Sequence, residues 1–201
     1  MKLDDEEIAR VCRLVDDVAG IQWDASKTYL IESRLPALLT EFGCQTLSDL
    51  VNLVRQGNNP RVSTAFIDAV TTRETLFFRD QGPFEALKHK CLPEILDAKA
   101  KTPYAQRLRI WSAACSSGQE PYSLGIILHE LLDDLAGWDI QILATDISPA
   151  ALKSAKTGIY SEFEMSRGVP QNLRDKYFTR VGDGWQVIDS VRKLVSFEHR
   201  N

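Results

Sequence analysis

Two short apolar runs, each followed by a turn and a helical stretch, constrain this chain more than any other feature. LRIWSAA (108–114) leads through a small-residue loop into a helix that opens near Glu120-Pro121 and continues to about Leu135. DIQILATD (139–146) leads through Ser148-Pro149 into a second helix that extends through Ala155. Strand, turn, helix repeated in this way predicts an α/β unit with a parallel sheet. GDGWQVID (182–189) reads as a turn and strand, and LVSFEHRN (194–201) as a strand running to the last residue.

Ahead of that unit the periodicity is helical. Ile8, Val11, Cys12, Val15 and Val18 share one face of a helix over 4–19, ended by Gly20. Ser26 is a candidate N-cap for a second helix, stopped by Gly43 and interrupted at Pro36. Thr46 caps a third helix that Gly57 stops, and residues 61–71 resume helical spacing after the Gly57–Pro60 turn. Residues 84–100 also read as helix.

Composition removes several function classes. No run approaches the roughly 18 apolar residues of a membrane span, and the acidic start MKLDDEEIARVC lacks the pattern of a signal peptide. A cytoplasmic location is expected. Residues 1–70 hold 7 Lys/Arg against 11 Asp/Glu and the remainder is balanced, so the basic excess of a nucleic-acid binder is missing. Cys12, Cys44, Cys91 and Cys115 are widely spaced, with no CxxC pair, which argues against a zinc or redox site, and no metal is expected. His89, His129 and His199 are equally scattered, and no flanking signature supports a serine or cysteine hydrolase.

In a parallel sheet, ligands bind beyond the carboxyl ends of the strands. One such end carries Ser112 through Pro121, a loop of small residues entering a helix, and the other carries Asp146. An acid at the second strand's end commonly accepts hydrogen bonds from ribose hydroxyls, which points to an adenosine ligand. A dinucleotide loop requires G-x-G-x-x-G against its pyrophosphate, yet Gly118 is the only glycine here. Glu120 would repel phosphate and suits an ammonium or sulfonium, so the chemistry favours S-adenosylmethionine over a nicotinamide dinucleotide. Each acid also has a plainer reading. Glu120 is a first-turn acid that stabilises a helix dipole, and Asp146 lies just ahead of the next helix.

VTTRETLFFRD (70–80) resembles the V-T-T-N-E-T-x-F-F-R-D segment of the CheR-type chemoreceptor glutamate methyltransferases, and RIWSAACSSGQEPYSL (109–124) resembles their R-I-W-S-A-(A/G)-C-S-T-G-E-E-P-Y-S. ILATDIS (142–148), KSAKTGIY (153–160), RGVP (167–170) and VSFEHRN (195–201) are similar to further segments of that family in the same order. The resemblance implies a helical domain (1–72), a cofactor-contacting linker (73–83) and a class I, Rossmann-like methyltransferase domain (84–201) with an antiparallel β-subdomain at about 160–193. It implies that Thr75, Arg79 and Glu120 meet the methionine end of S-adenosylmethionine, Asp146 the ribose and Asn201 the adenine. Arg79 would also orient the substrate carboxylate as the catalytic residue. The products would be S-adenosylhomocysteine and a glutamate methyl ester on a methyl-accepting chemotaxis receptor.

Departures from the family pattern accompany the match. Arg73 stands where the family has Asn, and Gln119 replaces the first acid of G-E-E-P. The turn between Phe178 and Val187 is short, like that of members that need no receptor C-terminal pentapeptide. The 26–42 stretch offers Lys27 and Arg34 against Glu32 and Glu41 as its receptor-docking charges. The family continues past the segment that VSFEHRN resembles, V-x-F-x-x-x-N-L-L, into further strands. The expectation is therefore an inactive fragment whose 108–113 strand has one bare edge through which it self-associates. The alternative of another class is a module that binds cofactor or receptor without turnover.

Overall fold

A computed structural model describes residues 4–101, 106–132 and 134–201. The chain divides into two compact units: Met1–Thr72 with Ile147–Pro149 and Asn201, and Arg73–Asp146 with Ala150–Arg200.

The first unit is all helix. α1 (Asp5–Ala19) starts at Asp4, whose side chain accepts from the Glu6 N–H, and ends at Gly20 in the left-handed region (φ 64°). α2 (Thr28–Arg34) and α3 (Pro36–Phe42) are one helical stretch broken at Leu35, as Pro36 predicts, because proline has no N–H to give the preceding turn. Ser26 does not cap α2. The acceptor is Asp24, which takes the Ser26 N–H at 2.9 Å and opens a short 3₁₀ turn, Ala25–Lys27, ahead of the helix. α4 (Leu47–Gln56) carries a reciprocal capping box between Thr46 and Asp49 and ends at Gly57. α5 (Pro60–Val70) completes the bundle. Leu14, Ile31, Leu35, Leu50, Val62 and Phe66 form its fully buried centre.

Thr46→Ala leaves the Asp49 N–H without its acceptor and is expected to lower stability by about 1 kcal/mol. The urea midpoint of the purified chain reads that shift, and an unchanged midpoint would count against the cap.

The second unit holds the sheet. α6 (Gln81–Ala86) and α7 (Leu92–Ala100) are joined by a wider π turn at Leu87–Cys91, where the sequence alone reads one helix. Pro93 cannot donate within that turn, and the Leu92 N–H reaches back to the Leu87 carbonyl. β1 (Arg107–Ala113) and β2 (Asp139–Asp146) pair in parallel, with Ile110 opposite Ile142. β6 (Val195–His199) pairs in parallel on β2's other side, giving the order β1-β2-β6. The α/β class and parallel sheet are as the alternation predicted.

α8 (Gln119–Leu131) follows β1 and ends earlier than the expected Leu135. Ile127 and Leu128 of α8 pack with Leu92, Leu96, Ile140 and Ile142 into one buried cluster. After α9 (Pro149–Thr157) comes a separate antiparallel sheet of β3 (Ile159–Ser161), β4 (Phe178–Val181) and β5 (Gly184–Val187), in the order β3-β5-β4. α10 (Glu162–Ser166) and α11 (Gln171–Tyr177) lie between β3 and β4, and α12 (Asp189–Arg192) precedes β6. β6 stops at His199, two residues short of the expected end. No helix among the described residues is long and apolar enough to cross a membrane.

Candidate functional site

The site is built on the turn between β1 and α8, and its backbone is strained. Ala114 (φ 57°), Ser116 (φ 50°) and Gly118 (φ 93°) all lie in the left-handed region. For the two non-glycine residues such angles are costly, so neighbouring contacts must over-determine them. They do. The Cys115 N–H donates to the Thr145 carbonyl (2.9 Å), and the Ser116 N–H donates to Oδ2 of Asp146 (2.7 Å). The Tyr160 hydroxyl donates to the Ser117 carbonyl (2.8 Å). A Cβ on Gly118 would stand 2.9 Å from that of Ala155, so glycine is required there for space as well as for angle.

Glu120, in the first turn of α8, accepts from the Ser112 hydroxyl at 2.6 Å. Ser112 is buried at the end of β1, an inward-facing hydroxyl where alternation would place an apolar side chain. Asp146 is 9% exposed at the end of β2, and its carbonyl accepts from the Arg200 N–H. The end of β1 and the turn that follows it therefore tie both carboxylates through residues four apart in sequence, Ser112 and Ser116. Burial first, and then the charges of Asp146 and Glu120, push the Cys115 thiol up to about 12. At neutral pH that sulfur is protonated and a poor nucleophile.

The Ser116 N–H, which in a phosphate-binding loop would face the ligand, is spent on Asp146. What the loop presents is anionic, with small side chains around it. That donor set fits a cationic nucleoside such as S-adenosylmethionine and opposes a pyrophosphate.

The stretch ahead of α6 is fastened to the same loop. The Arg73 carbonyl accepts from the Ser116 hydroxyl (3.3 Å), so at this departure from the family pattern the backbone makes the contact. The Phe78 N–H donates to Ser123 Oγ (3.0 Å), which in turn donates to the Gln119 carbonyl. Phe77 is 1% exposed and meets Tyr160 and Phe178 edge-to-face at centroid distances of 4.8 and 5.3 Å. These rings anchor the motif in the core, so Phe77 is structural, as its type suggests.

Of the residues singled out in the sequence, the structure brings Glu120 and Asp146 together and fastens the 73–78 backbone beside them. Thr75 is half-buried within that stretch. Arg79 is exposed, and its Nη1 donates to the Glu74 carbonyl (2.9 Å). It lines a cavity of about 410 Å³ with Phe78, Phe84, Ile126, Ile127 and Leu173, and neither carboxylate lines that cavity. Asn201 is grouped with the helical unit, where its side chain donates to the Val18 carbonyl (3.0 Å). Ser112, Ser116, Gln119 and Tyr160 were not singled out as site residues. Ser112, Ser116 and Gln119 lie within the 112–121 loop that the sequence marks as a segment, and Tyr160 ends KSAKTGIY, but no local signal assigns any of the four its individual contact.

Comparison with known proteins gives consistent matches. Residues 6–71 match the family described as "CheR methyltransferase, all-alpha domain", and residues 73–201 match "CheR methyltransferase, SAM binding domain". Chemotaxis protein methyltransferase 1 of Vibrio cholerae is 41% identical over 99% of this chain and 71% of its own length. Chemotaxis protein methyltransferase 1 of Pseudomonas aeruginosa is also 41% identical, over 98% of this chain and 71% of its own. A chemotaxis protein methyltransferase of Borreliella burgdorferi is 34% identical over 98% and 69%.

Proposed function

The chain belongs to the CheR methyltransferase family, and from that premise we propose that it methylates glutamate side chains of chemoreceptors in the cytoplasm. S-adenosylmethionine is its cofactor and methyl transfer its activity. The observation that supports the reading is that the end of β1 and the turn after it are held by two carboxylates, Ser112 by Glu120 and the Ser116 N–H by Asp146.

When bound, S-adenosylmethionine would supply an electrophilic methyl group to an acceptor carboxylate oxygen, with its sulfur leaving as a neutral thioether. The chain's residues bind and orient. Asp146 takes the ribose hydroxyls and Glu120 the ammonium of the methionine end, with Thr75 at that same end and Asn201 toward the adenine. Arg79 holds the acceptor carboxylate, because a planar guanidinium matches two oxygens. A glutamate side chain, with a reference pKa of about 4.3, is already ionised at neutral pH, so no general base is required. Orientation of the two reactants then supplies about 7–11 kcal/mol of the barrier reduction.

One observation favours a second reading, a module that binds cofactor or receptor without turnover. Among the described residues β1 pairs on one side only and presents Trp111, 68% exposed, so one flank of the site loop has no strand beside it. The same edge suits pairing between copies of the chain. Sedimentation of the purified protein reads that directly, since a monomer at all concentrations excludes it. Incubation with methyl-labelled S-adenosylmethionine and receptor signalling domains separates the two functions. Label on the receptor that base releases as methanol is the expected result. Saturable cofactor binding with no transferred label would establish the second reading.

A further inference from the structure

Glu164 holds two partners at once. Its Oε2 accepts from the backbone N–H and hydroxyl of Ser161 (2.8 and 2.7 Å), closing the cap of α10, and its Oε1 accepts from Nε2 of Gln119 (3.2 Å). Gln119 is 2% exposed, and its own Oε1 accepts from the Ser117 hydroxyl (2.8 Å). A single buried amide thus links the antiparallel subdomain to the strained loop, beside the point where Tyr160 grips the Ser117 carbonyl.

We propose that Gln119 and Glu164 are a matched amide–carboxylate pair that positions the β1–α8 loop for the cofactor. They are positioning residues. The inference rests on the cofactor reading given above and deepens it. Position 119 has to accept from Ser117 and donate to Glu164, and of the common side chains an amide of this length offers both. A glutamate there, as in the family pattern, would set two carboxylates against each other at the observed 3.2 Å separation. Residue 164 therefore sets which side chain is tolerated at 119 in this chain.

Ionised or titratable neighbours do not blur a pH test of the pair. Arg73 and Tyr160 line the same small cavity as Glu164, and Tyr122, itself pushed up to about 12 by burial, and Cys115 are close enough to act on Tyr160. Burial holds the Tyr160 hydroxyl well above its ordinary value and Cys115 at about 12, so both keep their protons. Glu120, next in the chain, is tied to Ser112 instead.

The test uses the full chain and S-adenosylhomocysteine, titrated calorimetrically alongside thermal melting. Gln119→Glu is expected to weaken binding about tenfold at about pH 8. Most of the loss should return near pH 5.5, where the carboxylate pair shares a proton. The swapped double variant, Gln119→Glu with Glu164→Gln, restores one donor facing one carboxylate. It should bind within about twofold of the original protein at both pH values. Equal binding by the original protein and Gln119→Glu at both pH values overturns the pairing alone. So does a double variant no better than the single one. No binding by the original protein overturns the cofactor reading and this inference with it, while the melting curves still report whether the two side chains are coupled.

Discussion

Asp146→Ala should weaken S-adenosylhomocysteine binding about 100-fold or more. Two losses combine. The aspartate leaves a buried Ser116 N–H with no acceptor, in a loop whose left-handed Ser116 and Ala114 need every tether they have. An unsatisfied buried donor costs about 1–3 kcal/mol. The ribose loses a charged acceptor as well, worth about 1.5–3 kcal/mol. Asp146→Asn keeps one carbonyl oxygen and serves Ser116 or the ligand but not both, so it should fall between, near tenfold. Calorimetric titration reads both variants. An Asp146→Ala protein that binds like the original, with its fold intact by circular dichroism, would mean that the ligand sits elsewhere.

The second large effect is one of space. A Cβ on Gly168 would lie 2.2 Å from the Phe77 carbonyl oxygen and 3.1 Å from its carbon, both backbone atoms that cannot swing aside. Gly168→Ala must push the 167–170 segment off the 75–79 stretch, at an overpacking cost of about 3 kcal/mol. For a chain of this length that corresponds to a fall in Tm of about 6–12 °C. Because Phe77 leads directly into Arg79, methyl transfer should fall further than stability does. Gly82→Ala provides the control. Nothing lies within 4 Å of the Cβ it would gain, and its melting should match the original. Scanning calorimetry distinguishes them, and a Gly168→Ala protein that melts with the control would show that the close approach is not real.

The sequence was most informative where local chemistry decides local shape. Pro36 breaks its helix, and Gly20, Gly43 and Gly57 end theirs in the left-handed region because their neighbours cannot. Strand β2 runs over the eight residues its apolar pattern marks. Ser26 misled because Asp24, two residues earlier, is the stronger acceptor for the same turn. The site was legible only in part. Asp146 ends β2 and Glu120 opens the helix after β1, on the side of the sheet where the topology brings ligands, so position alone points to them. The left-handed turns at Ala114 and Ser116 could not be foreseen, since neither residue favours that angle and only distant partners such as Asp146 and Tyr160 hold it. The Gly168–Phe77 approach and the Gln119–Glu164 contact likewise join segments that no local window contains. Such contacts are set by tertiary packing, which residue order does not display.

In the reading proposed above, the β1–α8 turn, flanked by Glu120 and Asp146 and with its Ser116 N–H occupied, selects an adenosine ligand bearing an ammonium over a phosphorylated one. Competition of S-adenosylhomocysteine and NAD for the purified chain, followed by tryptophan fluorescence, tests it most directly. Saturable binding of S-adenosylhomocysteine that excess NAD fails to displace is the expected result. Preferential binding of NAD would contradict it.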